Sequence, residues 1–305
     1  MSPIRIGTRG SQLALIQTDL VIDALRAVNP ALDVERVIIQ TEGDRRRRAS
    51  LLAIGGQGVF TRELEIALLD GEIDVAVHSL KDLPSTLPDG LQLACTPPRA
   101  DVRDILITRD NTPLNELPKG SVVGTGSLRR RAQLLAIRPD LVMKDIRGNV
   151  DTRLAKLERG DYDAIVLAAA GLARLGWLTK IHGEALSCEW MLPAPAQGTL
   201  GLECRGDDQR TQQILATIND PTTFATASAE RAVLRRFGIG CRLPLAALAT
   251  PNNGELTIHA RVLNHTGRLI FDATTRGPLT EAAALGTQAA QKLVADGAMK
   301  LLDGL

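Results

Sequence analysis

Aromatic side chains are scarce in this sequence: two Trp, one Tyr and four Phe among 305 residues, 2% of the chain. That is too few to build the stacking platforms on which single-stranded nucleic acids rest. Lysine is scarce too, with 7 residues against 29 arginines, and the net charge is only +1. A chain this close to neutral has no global electrostatic reason to bind nucleic acid. No apolar run approaches the roughly twenty residues of a membrane-spanning helix. The opening residues, MSPIRIGTRG, carry no signal-peptide h-region and no lipidation motif. Four cysteines (Cys95, Cys188, Cys204 and Cys241) are scattered, with no C-x-x-C and no zinc spacing to the four histidines. These absences argue against a disulfide framework and a bound metal, and they predict a soluble cytoplasmic protein with free thiols.

What is present is length enough for two or three domains, 44% hydrophobic residues and a strong excess of arginine. The arginine skew has two readings, a composition bias or planar, bidentate recognition of carboxylate or phosphate. One stretch favours the second. Val122 to Leu134 reads as strand, glycine turn and helix, with Ser127 placed to cap the helix and Leu128, Ala132 and Leu135 spaced as its apolar stripe. Arg129, Arg130 and Arg131 then fall in the first helical turn, where the helix dipole disfavours cations. An anion bound at that helix start would offset the repulsion.

The pattern predicts an α/β fold. Residues 1–96 alternate strand and helix, with a helix from Ser11 to Ala27 carrying Leu13, Ile16, Leu20 and Ala24 on one face. A polar loop at 41–58 holds Arg45 to Arg48 and Gly55-Gly56-Gln57-Gly58, and a buried strand runs from Asp74 to His78. Residues 101–192 repeat the style, with strands near 105–108, 121–124, 142–146 and 163–168. Pro97-Pro98 and the PAPAQG segment at Pro193–Gly198 break the chain on either side. The reading is a discontinuous first domain (1–96 and 198–218), a second α/β domain (101–192) inserted into it across a hinged cleft, and a small α+β domain (220–305). In that last part Asp220-Pro221 opens a helix to Arg236, and alternation at 256–262 with Asn253-Gly254 marks a hairpin.

Two turns resemble the arginine turn. Ile6-Gly7-Thr8-Arg9-Gly10-Ser11 and Ile146-Arg147-Gly148-Asn149-Val150-Asp151-Thr152-Arg153 each put arginine, glycine and a small polar residue where strand meets helix. That is the edge at which open α/β sheets bind ligands. One such turn is an ordinary loop; three imply a ligand with several negative groups. Nucleotide binding is a poor fit, because Arg129 replaces the third glycine of G-x-G-x-x-G and there is no Walker lysine. His78-Ser79-Leu80-Lys81-Asp82-Leu83-Pro84 offers an acid and a base on a strand exit, or else a turn in which Asp82 bonds backbone N–H groups. Cys241 lies in Gly238-Ile239-Gly240-Cys241-Arg242, where the cation favours the thiolate. Read alone, it is an inert loop thiol or an activated one.

Taken together, the segments GTRGSQLAL, TEGD, GVFTRELEIALLDGEIDVAVHSLKDLPS, GTGSLRRR, RGNVDTRL, LPAPAQG and GIGCRLP, in this order, resemble the porphobilinogen deaminases (hydroxymethylbilane synthases). The resemblance covers essentially the whole chain. It implies two α/β domains like those of periplasmic solute-binding proteins and a C-terminal α+β domain. It also implies a transferase that condenses four porphobilinogen molecules into a linear tetrapyrrole with release of ammonia. A dipyrromethane cofactor would be held by a thioether at Cys241. Asp82 matches the catalytic aspartate, which handles the proton of the departing amine and stabilises the electron-poor azafulvene. Lys81 matches the adjacent cofactor-contacting lysine. Ser127, Arg129, Arg130 and Arg147 match cofactor-binding positions, and Arg9, Ser11, Arg147 and Arg153 match residues that bind acetate and propionate groups. The expected partners are porphobilinogen and the growing polypyrrole chain, on a monomeric, cytoplasmic enzyme without nucleic acid, membrane or metal.

The sequence departs from the family at Gln57, where GGKG is usual, at Ala53, where another lysine is common, and at Gly126, where a serine is often found. Arg45 to Arg48 would replace the lost charge or form a solvated run. The rival from another class is a non-catalytic anion receptor on the same scaffold. Such a receptor has no need of a tethered thiol.

Overall fold

The computed structural model describes residues 2–40, 61–238 and 243–301. Arg45 to Arg48, Ala53, the 55–58 glycine segment and Cys241 lie outside the described residues. In chain order the first elements are β1 (Ile4–Arg9), α1 (Gln12–Val28), β2 (Val34–Ile39), α2 (Arg62–Leu69), β3 (Val75–Ser79) and β4 (Leu91–Cys95). There follow β5 (Asp104–Thr108), β6 (Val122–Gly124), α3 (Leu128–Ile137), β7 (Val142–Lys144), α4 (Val150–Glu158), β8 (Ala164–Ala168), α5 (Ala169–Arg174) and β9 (Gly183–Ala185). The remainder comprises β10 (Leu200–Arg205), α6 (Gln209–Ala216), α7 (Pro221–Phe237), β11 (Leu245–Asn252), β12 (Glu255–Leu263), β13 (Ile270–Pro278) and α8 (Ala282–Ala295). The chain divides into two compact units, residues 1–100 with 198–224 and residues 101–197 with 225–305.

The first unit is built on a five-stranded sheet in the order β2-β1-β3-β10-β4. β1 runs parallel to β2 and β3, whereas β10 is antiparallel to both β3 and β4. Both faces are covered, so β3 reads Val-Ala-Val without polar alternation. Val75, Val77, Leu200 and Leu202 pack with Val21, Ile22 and Leu25 of α1. Ala76 faces the other way, onto Leu64, Ala67 and Leu68 of α2. Ser11 caps α1 by accepting from the Ala14 N–H at 3.4 Å. The expected apolar stripe on α1 is displaced. Leu20 is 46% exposed, and the buried residues are Gln17, Thr18, Val21, Ile22 and Leu25. The polar pair can be buried because Thr18 donates to the Ala14 carbonyl and Gln17 bonds Ser79.

The second unit contains a five-stranded sheet, β7-β6-β8-β5-β9, and an antiparallel sheet, β11-β12-β13. β6 is parallel to β7 and β8, and β5 is antiparallel to β8 and β9. Asp220, in the 198–224 segment of the first unit, caps α7, accepting from Thr223 N–H at 2.6 Å. Asn253 and Gly254 take φ of 49° and 81°, the left-handed pair that a two-residue hairpin between β11 and β12 requires. Leu256, Ile258, Ala260 and Val262 are fully buried against Val233, Leu285 and Leu293. Thr257, His259 and Arg261 fall on the alternate positions, as a strand covered on one face demands.

Candidate active site

In the first unit the chemistry-bearing residues lie where the parallel strands β1 and β3 end. Arg9 is the last residue of β1 and Ser11 caps the helix that follows. β3 runs into a short 3-10 turn over Leu80–Asp82. Leu80 N–H donates to the Thr199 carbonyl at 3.0 Å and Leu83 N–H closes the turn on the Leu80 carbonyl at 3.2 Å. Gln17 Nε2 donates to Ser79 Oγ at 2.8 Å on one face of the sheet. On the other, His78 Nε2 meets Glu203 Oε2 at 2.9 Å. Leu80 and Leu83 are buried, Lys81 is half-buried and Asp82 is exposed. The turn therefore hangs an accessible carboxylate on a rigid strand end.

In the second unit Ser127 caps α3, accepting from Arg130 N–H at 3.4 Å. The stripe of Leu128 and Leu135 is not the buried face. Arg129, Arg130, Ala132, Gln133 and Leu134 are buried instead, with the two arginines 5% and 6% exposed. The anion that meets them is within the chain. Asp104 Oδ2 accepts from Arg129 Nη2 at 2.7 Å, and Asp104 Oδ1 accepts from Arg130 Nε at 3.1 Å and Nη2 at 2.8 Å. Arg129 Nη1 also donates to the Leu192 carbonyl and Arg130 Nη1 to that of Val166. Burial opposes charge on Asp104, but the two guanidiniums outweigh it and hold its carboxyl well below the usual carboxylate range. Two cations against one carboxylate leave a net positive charge at the helix start. Arg129 Nε and Arg131 Nε are buried there without an acceptor.

β7 leads into the third arginine turn. Arg147 is exposed and Arg153 half-buried. Arg153 Nε donates to the Gly148 carbonyl at 2.8 Å, and Lys156 Nζ to the Arg147 carbonyl at 3.0 Å. Gly148 has φ of +113°, and a Cβ there would meet Thr152 at 2.8 Å, so only glycine fits this turn. Thus Ser127–Arg130 follows β6 and Arg147–Arg153 follows β7, at one edge of the same sheet. Arg174, half-buried, is the last residue of α5, the helix that follows β8. Burial lowers its guanidinium to about 10.

Cys95 and Cys204 are buried free thiols whose pKa values burial pushes up to about 12 and about 11, so neither is a nucleophile. Among the described residues no group of three or more His, Cys, Asp or Glu could hold a metal ion. No described helix is long and apolar enough to cross a membrane.

Comparison with known proteins shows the family to which the chain is similar. The family model of the porphobilinogen deaminase dipyrromethane cofactor-binding domain matches residues 4–213, and that of the porphobilinogen deaminase C-terminal domain matches residues 224–295. The porphobilinogen deaminase of Bacillus pumilus is 47% identical over 304 residues, 99% of this chain and 97% of that protein. That of Syntrophotalea carbinolica is 48% identical over 304 residues, covering 100% and 96%. Among solved structures, the periplasmic aliphatic sulphonate-binding protein of Escherichia coli is 15% identical, with a TM-score of 0.41 over 77% of this chain and 70% of that one. With family models matched over nearly its full length and relatives close to half identical throughout, the chain belongs to the porphobilinogen deaminase family.

Proposed function

We propose that this chain joins four porphobilinogen molecules head to tail on a dipyrromethane primer, releasing ammonia and a linear tetrapyrrole, and that Asp82 is the group that moves the protons. The observation that carries the reading is the Asp82 turn, an exposed carboxylate that follows a buried strand end whose Leu80, Ser79 and His78 are held by Thr199, Gln17 and Glu203. Each coupling breaks a C–N bond, whose amine leaves as ammonia once protonated, and forms a C–C bond at a pyrrole carbon that gives up a proton. A carboxyl that gives the first proton and takes the second is restored at every addition, and such transfer is worth about a hundredfold or more in rate. Lys81, its neighbour, binds the cofactor and balances the carboxylate charge.

The residues present fit the cofactor. A dipyrromethane carries acetate and propionate groups on each ring, and the helix start at Ser127 offers net positive charge with the buried Nε atoms of Arg129 and Arg131 unmatched. Ser127, Arg129, Arg130 and Arg147 would hold it, with Cys241 as the thioether anchor. When bound, that group supplies the primer to which pyrrole units are added. Arg9, Ser11, Arg147 and Arg153 bind carboxylates of the substrate and the growing chain, through charge-assisted bonds of about 1.5–3 kcal/mol each. Residues 1–96 with 198–218, 101–192 and 220–305 act as three domains, the last presenting Cys241. The free thiols and the biosynthetic chemistry suit a reducing cytoplasm, where the chain would act as a monomer.

Asp82→Ala tests the assignment. The variant keeps the two-pyrrole adduct in its intact mass and loses at least about a hundredfold in hydroxymethylbilane formation. Near-normal turnover would remove Asp82 from the mechanism.

A further inference from the structure

Beneath the Asp82 turn lies a cluster of ionisable groups that the reaction chemistry does not use. Glu203 of β10 is fully buried. Its Oε2 accepts from His78 Nε2 at 2.9 Å, whereas its Oε1 is buried without a partner. Glu65 of α2 is buried beside them and its Oε1 is likewise unmatched. Burial raises its carboxyl pKa, the Thr61 hydroxyl works against the rise, and the Glu203 charge adds to it. The surrounding layer is apolar, made of Leu64, Ala67, Leu68, Ile73 and Ala76.

Stability does not explain such a cluster. A buried ion pair is often no better than an apolar pair of the same volume, and an unmatched buried oxygen is a loss. Position does explain it. Glu203 pairs with Ala76 across the β3–β10 ladder and Gly201 with His78, so the two side chains meet diagonally on one face. His78 is the penultimate residue of β3, four before Asp82. Ser79, on the opposite face, is held by Gln17, and Leu80 N–H by Thr199. The strand end is thereby clamped from both faces immediately before the chain leaves the sheet.

We propose that His78 and Glu203 are positioning residues for the Lys81–Asp82 turn, the His78–Glu203 bond fixing the end of β3 against β10 so that the Asp82 carboxylate is held at its working place. This rests on the reading of Asp82 as the proton-handling group. A displacement of about 1 Å in such a group costs about a hundredfold in rate. The imidazole acts as a fixed donor, not as an acid or base.

The test uses holoenzyme, with the adduct verified by intact mass in every variant. In His78→Leu/Glu203→Leu the buried charge is removed along with the bond, so Tm stays within about 4 °C of wild type. The expected result is a fall in kcat of about a hundredfold with KM within about twofold. His78→Asn, too short to reach Glu203, carries the same expectation with a single change, should the double variant not fold. His78→Gln places an amide donor near the Nε2 position and retains kcat within about threefold of wild type. Near-normal kcat in either variant that lacks the bond overturns the proposal. So does an equal loss in His78→Gln, which would make the imidazole a participant in proton transfer. Asp82→Ala, assayed alongside, separates the two ideas: full activity there removes the premise, whereas an inactive Asp82→Ala beside an active His78→Asn removes only the positioning role.

Discussion

Replacing Asp104 with Asn changes one charge and almost no volume, and it should be among the most damaging substitutions in the second unit. Asp104 accepts four hydrogen bonds: from Arg129 Nη2 at 2.7 Å, Arg130 Nε at 3.1 Å and Nη2 at 2.8 Å, and Gln197 Nε2 at 2.9 Å. An amide in its place would turn an N–H toward guanidinium donors and leave two buried cations uncompensated. Removing one partner of a buried ion pair costs about 3–5 kcal/mol. For a unit of this size each kcal/mol is worth about 2–4 °C, so calorimetry at pH 7.5 should show Tm lower by about 6–20 °C. The pH dependence follows from the sign of the shift. Asp104 has a depressed carboxyl pKa in the folded protein. Its stabilisation is therefore fully present above the ordinary carboxylate value of about 3.9 and is lost as pH falls below it. The deficit of Asp104→Asn should thus shrink in acid. Asp104→Leu/Arg129→Met/Arg130→Leu should recover most of the lost Tm while losing cofactor loading, since an apolar core tolerates the exchange. A Tm within about 2 °C of wild type for Asp104→Asn would show that the buried guanidiniums do not depend on this carboxylate.

Two further substitutions probe the other sites. Glu65→Gln should raise Tm at pH 7.5 and lose that advantage near pH 4. The folded protein holds the Glu65 proton more tightly than the unfolded chain does, so its ionisation destabilises as pH rises through the raised pKa; a pH-independent difference by calorimetry would contradict this. Gly148→Ala forces a side chain into φ of +113° and against Thr152. It should cost about 1–3 kcal/mol and raise KM for porphobilinogen, because the Arg147–Arg153 turn cannot keep its shape; an unchanged KM would separate the turn from carboxylate binding.

Local features of the chain are legible in its sequence. The Ser127 cap, the Asp220 cap and the Asn253-Gly254 hairpin depend on residues within a few positions of one another, and each forms where its pattern says. The strand–turn–helix order around 122–134 is equally local. The direction of the arginines is not. Spacing marks Leu128, Ala132 and Leu135 as the buried stripe of α3, but Arg129 and Arg130 turn inward because Asp104, on β5, waits there. The same holds for α1, where Gln17 is buried because Ser79, 62 residues later, accepts its amide. β9 was invisible for another reason: three residues, Gly183–Ala185, carry no period, and their strand exists only by pairing with β5. Asp82 stands out as a motif, whereas His78–Glu203 joins residues 125 apart and becomes visible only once β3 and β10 are neighbours.

We propose that this chain carries its own two-pyrrole primer on Cys241, and the intact mass of the purified protein tests this directly. From cells that make porphobilinogen, the wild-type protein should be heavier than its sequence by two pyrrole units, and Cys241→Ser should have its unmodified mass. An unmodified wild-type chain, or the same adduct on Cys241→Ser, would show that Cys241 does not carry the primer.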